Sequence, residues 1–218
     1  MPTLLLRLAG PLQSWGIESK FEIRKTESLP TKSGVIGMIA SALGRNRTDS
    51  IDDLRNLKFG VRADQPGRII CDFHTAKKDE KTSYISYRYY ISDGIFLAGV
   101  FSEDRNLLES IEYALKYPAF PLYLGRRSCP VTLPLTYGIV DLPLKKALED
   151  FRWLGNSKKP NPLILHLEDS DRFTEMVKDN PVSYDPVLRK YGYRSNRELA
   201  MKKTEGFIEH DPFKGWEN

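Results

Sequence analysis

The sequence predicts an α+β protein with one sheet-and-helix domain, a protruding β-hairpin and a smaller C-terminal region. Two observations carry this prediction. Apolar runs of strand length alternate with two segments of helical spacing, and the polar stretch 77-KKDEKTS-83 separates two strand-like runs. Hydrophobic residues make up 40% of the 218 residues, which is enough for the core of one large domain or two small ones.

The chain begins with a predicted strand, an irregular connection and a helix. Residues 3–8 are apolar apart from Arg7 and predict a buried strand. After the irregular residues 11–32, we expect Ser33 to cap a helix over 34–43. Gly34 and Gly37 cost helix stability, so they indicate close approach of another group.

The later elements complete a β-α-β-β-α-β order, which is typical of a ferredoxin-like (RRM-like) fold. The residues from 76 to 92 predict the protruding hairpin, or thumb, and the whole domain is expected to span residues 1–144. The predicted elements are strands near 57–63, 69–76, 84–91 and 95–101, a helix over 104–116, and a strand at 135–141.

Residues 145–218 are expected to form the smaller C-terminal region, with a boundary near 145–160. Within it, 163–167 predicts a strand and 191-YGYRSNRELAMKK-203 is basic and aromatic. The sequence defines this region poorly.

Charge and cysteine usage limit the classes of function. The first 48 residues carry seven Lys or Arg and three Asp or Glu, so the whole net charge of +4 lies there. Cys71 and Cys129 form no C-x-x-C pair, and no carboxylate pair has metal-site spacing. We therefore expect no metal and no cofactor. With no signal peptide or membrane-length apolar run, the sequence indicates a soluble, reduced, cytoplasmic protein.

The stretch 120-FPLYLGRRSCPVTLP-134 cannot be helical, because its three prolines each remove a backbone donor. Gly125 predicts a sharp turn that presents Arg126 and Arg127 together. Paired guanidinium groups suit either a phosphate backbone or a carboxylate cluster, and the residues leave both open.

Lys32-Ser33 does not form a phosphate-binding loop, because the glycine spacing of that motif is missing. The predicted helix start is still a competent anion site. The alternative is a plain capped helix.

Among the three histidines, only His74 lies near basic and hydroxyl groups, which include Lys77 and Tyr84. A metal-independent ribonuclease could use such a trio, with histidine as the base and lysine stabilising the phosphorane. The alternative is a strand residue that supports the hairpin. The tyrosines of 84–90 likewise fit either base stacking or ordinary cross-strand packing.

Three segments together resemble one known family: 4-LLLRLAGPLQSWG-16, 30-PTKSGVIGMIASALG-44 and 123-YLGRRSCP-130. They are similar to the signature of CasD, the CRISPR-associated subunit at the 5′ end of the guide RNA in type I-E Cascade, within the RAMP superfamily. The stretch 72-DFHT-75 resembles a family D-Y-H-T segment. The similarity is weak beyond about residue 145.

The resemblance implies a non-catalytic subunit that binds the 5′ handle of the CRISPR RNA in an antiviral complex. Its partners would be the backbone subunit and the large subunit, with target DNA reached indirectly and no membrane involved. The residues implied in RNA binding are Gln13, Trp15, Lys32, Ser33, Gly125, Arg126, Arg127 and Ser128. The residues implied in the thumb are Lys77, Lys78, Lys81 and Arg88.

Two alternatives remain at this point. A related type I-C branch cuts the CRISPR repeat with a tyrosine, a lysine and a histidine, for which the candidates are Tyr84, Lys77 and His74. A general RNA-binding protein unrelated to CRISPR would have a higher basic charge than +4. Relative to better-known members, the tip between His74 and Tyr84 is short.

Overall fold

The computed structural model describes residues 1–16, 22–77, 83–156, 163–168 and 175–201. The strands in these residues are β1 (Thr3–Ala9), β2 (Leu12–Gln13), β3 (Ile23–Arg24), β4 (Lys58–Gln65), β5 (Arg68–Lys77), β6 (Ser83–Ser92), β7 (Ile95–Phe101), β8 (Thr136–Val140), β9 (Leu163–Leu167), β10 (Glu175–Ser183) and β11 (Lys190–Met201). The helices are α1 (Lys32–Ala42), α2 (Asp52–Arg55), α3 (Arg105–Lys116) and α4 (Leu144–Asp150).

The main sheet has seven strands in the order β10-β11-β9-β4-β7-β1-β8. Within it, β7 lies between β1 and β4 and is antiparallel to both, while β8 pairs with β1 on its other side. With α1 and α3 as crossovers, this is the ferredoxin-like arrangement. The predicted α+β class and the β-α-β-β-α-β order are confirmed.

Strands β1 and β7 are mostly apolar because helices cover both faces of the sheet there. Alternate residues of β1, such as Leu4 and Leu6, belong to the larger core, which includes residues of α1 and α3. Leu5 points to the opposite face and packs in a second core with Leu144 and Leu148 of α4. The sequence analysis missed α4, which is only seven residues long.

The start of α1 differs from the prediction, which placed the cap at Ser33. Thr31 is the N-cap, and its Oγ1 accepts a hydrogen bond from the Gly34 N–H at 3.2 Å. Ser33 already lies in the first turn of the helix and is buried. The predicted cap was therefore wrong by two positions, because Thr31 and Ser33 are both competent capping residues.

A fully buried ion pair joins β4 to the residues that end α4. Arg62 and Asp64 form two hydrogen bonds of 2.6 and 2.7 Å, and both side chains have no exposed surface. The Arg62 guanidinium also donates to the backbone oxygens of Leu148, Phe151 and Arg152, and Asp64 accepts from the Leu154 N–H. Both charged groups therefore find their hydrogen-bond partners inside the fold.

The region after residue 144 extends the same sheet. Strand β9 pairs with β4 on one side and with β11 on the other, and β11 pairs with β10. The division of the chain at residue 144 stays a prediction.

The predicted hairpin is formed by β5 and β6, which pair from Arg68↔Ser92 to Lys77↔Ser83. Every residue of β5 is exposed, whereas β6 changes from exposed at Ser83 to buried at Tyr90. The short strands β2 and β3 flank the inner part of β6. Lys78 and Lys81 lie outside the described residues.

We expect Asp64→Asn to destabilise the protein by about 3–5 kcal/mol, because it leaves the Arg62 charge buried without a counterion. The change is measured by denaturant unfolding. Glu109→Gln is the matched control, since Glu109 pairs with Arg105 at 3.0 Å on the surface. That variant should cost less than about 1 kcal/mol. Equal effects of the two substitutions would contradict the assignment of Arg62–Asp64 as a structural pair.

We expect His166 to make the protein less stable in mild acid. Burial lowers the pKa of this imidazole below its usual 6.5. Between that lowered pKa and 6.5 the unfolded chain binds more protons, so stability rises with pH in this window and falls on acidification. Unfolding at pH 7.5 and 5.5 should therefore show a smaller loss for His166→Gln than for the wild type. If the wild type and His166→Gln lose the same free energy of unfolding between pH 7.5 and 5.5, His166 does not cause the acid sensitivity.

Candidate nucleic-acid interface

Segments far apart in the sequence meet in one cleft of about 190 Å³, which we call the arginine cleft. The described residues that line it include two arginines, several hydroxyl groups and no carboxylate. Those residues are Ser14, Trp15, Gly16, Thr31, Ser33, Gly34, Gly125, Arg126, Tyr184, Arg189 and Tyr191. The three segments that carried the family resemblance all contribute to it.

The turn that carries Arg126 is held by its own backbone. The Leu124 N–H donates to the Cys129 carbonyl at 2.7 Å, and the Cys129 N–H donates to the Arg126 carbonyl at 2.8 Å. Gly125 has φ +87°, and a Cβ there would lie 1.8 Å from the Ser14 carbonyl oxygen. This position therefore accepts only glycine, and the turn lies directly against the segment after β2.

Arg126 is fixed in place by stacking and by backbone acceptors. Its guanidinium lies 4.9 Å from the Tyr90 ring centroid and donates to the carbonyls of Tyr89, Arg24 and Lys25. A guanidinium has five N–H groups, so at least two remain for a ligand. Within the described residues it pairs with no carboxylate, and its charge is therefore available to an anion.

Arg127 and Ser128 follow on the exposed side of the turn. Arg127 has no ion pair or hydrogen bond to the described part of the chain, so its guanidinium is free. The Ser128 hydroxyl lies 3.4 Å from the Tyr90 hydroxyl. The predicted pair of arginines is thus split into one held group and one free group.

Trp15 and Gln13 support the cleft from inside. Trp15 is 1% exposed, and its Nε1 donates to Gln13 Oε1 at 3.0 Å. Gln13 is fully buried and donates to the carbonyls of Leu8 and Gly94. Its side chain therefore positions the indole and does not line the cleft.

The start of α1 is occupied by the protein's own charges. The Lys32 N–H donates to the Asp179 carboxylate at 2.8 Å, and Arg194 binds that carboxylate at 2.5 and 2.9 Å. The Lys32 ammonium is buried and contacts Glu168 at 2.9 Å. Burial lowers the pKa of Lys32, and Glu168 opposes that shift. The predicted helix-start anion site is therefore filled by Asp179.

The glycines of α1 admit two aromatic side chains, as the sequence indicated. A Cβ on Gly34 would lie 2.7 Å from the Trp15 ring, and one on Gly37 would lie 3.4 Å from the Tyr184 ring. The Tyr184 hydroxyl donates to the Ser33 carbonyl at 2.5 Å. Burial raises the pKa of Tyr184, so this hydroxyl stays protonated and remains a donor.

The sequence did not predict the contribution of Tyr184 and Arg189 from the turn between β10 and β11, or of Tyr191 from the start of β11. A signal was present in 184-YDPVLRKYGY-193, where an Asp-Pro turn is flanked by tyrosines and followed by Arg-Lys. This segment has no apolar periodicity, so it predicted no element.

The hairpin does not place the three ribonuclease candidates on one face. His74 is opposite Ser86 and Tyr84 is opposite Ala76, so both lie on the same face of the ladder. Lys77 is opposite Ser83 and faces the other way. His74 and Asp72 approach to 3.9 Å, and both are about half exposed. No cluster of metal-ligating residues occurs in the described ranges.

The described residues contain no helix that is long and apolar enough to cross a membrane. The model of one protein family, described as "CRISPR-associated protein (Cas_Cas5)", matches residues 3–197. The chain belongs to the Cas5 family. The predicted relationship to CRISPR-associated proteins is confirmed.

Relatives of this Cas5 protein include the "CRISPR system Cascade subunit CasD" of Escherichia coli strain K12. The two are 33% identical over 156 residues, which cover 62% of this chain and 70% of the relative. Two solved structures have the same fold. A chain titled "Crystal structure of Cas protein" is 43% identical with a TM-score of 0.75, and the match covers 92% of this chain and 95% of that one. A chain of a "CRISPR RNA-guided surveillance complex" is 31% identical with a TM-score of 0.78, over 92% and 90%.

We expect Gly125→Ala to disrupt the turn at a cost of about 3 kcal/mol or more, because it combines a left-handed backbone with a clash against Ser14. Thermal unfolding measures the loss. Gly192→Ala is the control, since its nearest contact would be an ordinary 3.5 Å. A Gly125→Ala protein as stable as the control would show that the turn can shift away from Ser14.

Proposed function

We propose that this Cas5 protein is a non-catalytic subunit of a type I-E Cascade surveillance complex and binds the 5′ handle of the CRISPR RNA. One observation carries the proposal. Three distant segments converge on the arginine cleft, where Arg126 has no carboxylate partner among the described residues and the exposed Arg127 follows it in the same turn.

The chemistry of the cleft fits an RNA backbone. Guanidinium groups bind phosphate oxygens in pairs, and Arg126 in the cleft keeps at least two N–H groups that the described residues do not use. A carboxylate ligand would satisfy the arginines equally well. One relative is named as a Cascade subunit and another is a chain of an RNA-guided surveillance complex, which supports RNA as the ligand.

The hairpin supplies the surface for other subunits. Apolar side chains are exposed on β5 and β6, among them Ile69 at 57% and Phe73 at 58%. Phe73 packs edge-on against Tyr87, with ring centroids 5.6 Å apart. Exposed apolar patches mark interaction sites. We assign this surface to the neighbouring backbone subunit, and we propose that the assembly is cytoplasmic. Lys77 lies on the same face of the hairpin as Phe73, whereas Arg88 lies on the opposite face.

The geometry supports binding over cleavage. A general base and a lysine that stabilises the phosphorane must reach the same phosphate. His74 and Lys77 lie on opposite faces of the hairpin. We therefore propose no catalytic role for His74, Lys77 and Tyr84.

We expect Arg127→Ala to raise the dissociation constant for handle RNA about tenfold, because a hydrogen bond to a charged group is worth about 1.5–3 kcal/mol. Melting temperature should stay unchanged, since Arg127 is free of ion pairs in the described structure. Binding is measured by native gel shift with CRISPR repeat RNA from the same locus. Arg126→Ala should weaken binding and also lower the melting temperature.

Lys145→Ala is the matched control, because it removes an exposed positive charge on α4, away from the cleft. The same samples are run on denaturing gels with and without EDTA. Uncut RNA is expected in both. Wild-type affinity in both arginine variants would refute the cleft as the RNA site, and metal-independent cleavage would reassign the protein as a processing enzyme.

A further inference from the structure

We infer that residues 184–191, which comprise the turn between β10 and β11 and the first two residues of β11, form a second wall of the RNA site, in which Arg189 binds the phosphate backbone. This inference rests on the proposed function and extends it to the part of the chain where the family resemblance is weakest. The wall faces the arginine cleft through Tyr184, Arg189 and Tyr191.

Arg189 repeats the arrangement seen at Arg126. Its guanidinium lies 5.3 Å from the Tyr191 ring centroid, and its Nε–H donates to the Tyr191 hydroxyl at 2.5 Å. At Arg126 the corresponding distance to the Tyr90 ring is 4.9 Å. Each wall of the cleft thus presents a guanidinium that is oriented by a tyrosine, which reduces the entropy lost when a ligand binds.

The positive charge of Arg189 is available to an anionic ligand. Within the described residues it has no carboxylate partner, and it is exposed. The one acid in the turn is Asp185, whose carboxylate accepts hydrogen bonds from the Val187 and Leu188 N–H groups at 2.7 and 3.0 Å. Asp185 therefore shapes the turn and does not neutralise Arg189.

The wall is fixed against α1 at two points. Tyr184 donates to the Ser33 carbonyl and packs on Gly37. In β10, the Asp179 carboxylate binds the Lys32 N–H and Arg194. Asp179 is 1% exposed, so this contact is shielded from water. The turn is therefore held beside the cleft before RNA arrives.

A phosphate contact has a specific signature, which is the salt dependence of binding. Each phosphate neutralised on a single strand contributes about 0.7 to the slope of log K against log salt concentration. Loss of the Arg189 contact should lower that slope by about 0.7 and raise the dissociation constant about tenfold. A change in packing alone would weaken binding without lowering the slope.

The experiment compares wild type, Arg189→Ala, Lys190→Ala and Arg126→Ala in the full chain, by fluorescence anisotropy with labelled handle RNA from the same locus over a series of salt concentrations. Lys190 is the control, because it is an exposed cation next to Arg189, at the start of β11, but is not among the residues that line the cleft. We expect the lower slope for Arg189→Ala and for Arg126→Ala, and the wild-type slope for Lys190→Ala.

The outcomes separate the two claims. If Arg126→Ala weakens binding while Arg189→Ala binds with the wild-type constant and slope, the second wall is refuted and the proposed function stands. If Lys190→Ala lowers the slope as much as Arg189→Ala, the slope reports the positive charge of this segment in general and not a contact of Arg189. The inference is then also refuted. If the wild type binds no handle RNA, the proposed function fails, and the inference fails with it.

Discussion

The architecture of the cleft depends on one buried carboxylate, that of Asp179. It lies at the N-terminus of α1, accepts the Lys32 N–H, and is bound through two oxygens by Arg194. Removing such a charge from water is costly, and only this set of charged and backbone donors offsets the cost. Because Asp179 belongs to β10 and Lys32 to α1, the contact fixes the C-terminal hairpin against the helix that forms one side of the cleft.

The same contact decides which charged groups stay available to a ligand of the cleft. A helix N-terminus attracts anions through its free N–H groups and its dipole. Here Asp179 satisfies that site internally, and Lys32 is neutralised by Glu168. In the proposed function, phosphate recognition therefore falls to guanidinium groups on a turn, those of Arg126 and Arg127 after Gly125.

Sequence reasoning succeeded where apolar periodicity is strong and failed where tertiary contacts decide. The runs at β1 and β7 predict buried strands by themselves, whereas α4 has too few apolar positions to stand out. Gln13 was expected on the RNA surface, yet the Trp15 indole requires a buried acceptor and takes it. The meeting of Trp15, Ser33 and Gly125 in one cleft follows from sheet topology, which spacing does not encode. The family resemblance was what implied a shared surface for these three residues.

Strand β6 connects the two surfaces on which the function depends. At its inner end, Tyr90 stacks under Arg126 and the Tyr89 carbonyl accepts a hydrogen bond from that guanidinium. At its outer end, Ile85 and Tyr87 are exposed beside Phe73. A hairpin that is exposed along all of β5 has little packing of its own. If a neighbouring subunit covers the outer end, as we propose, it also restrains the strand that positions Arg126, so the proposed assembly and RNA binding would stabilise one another.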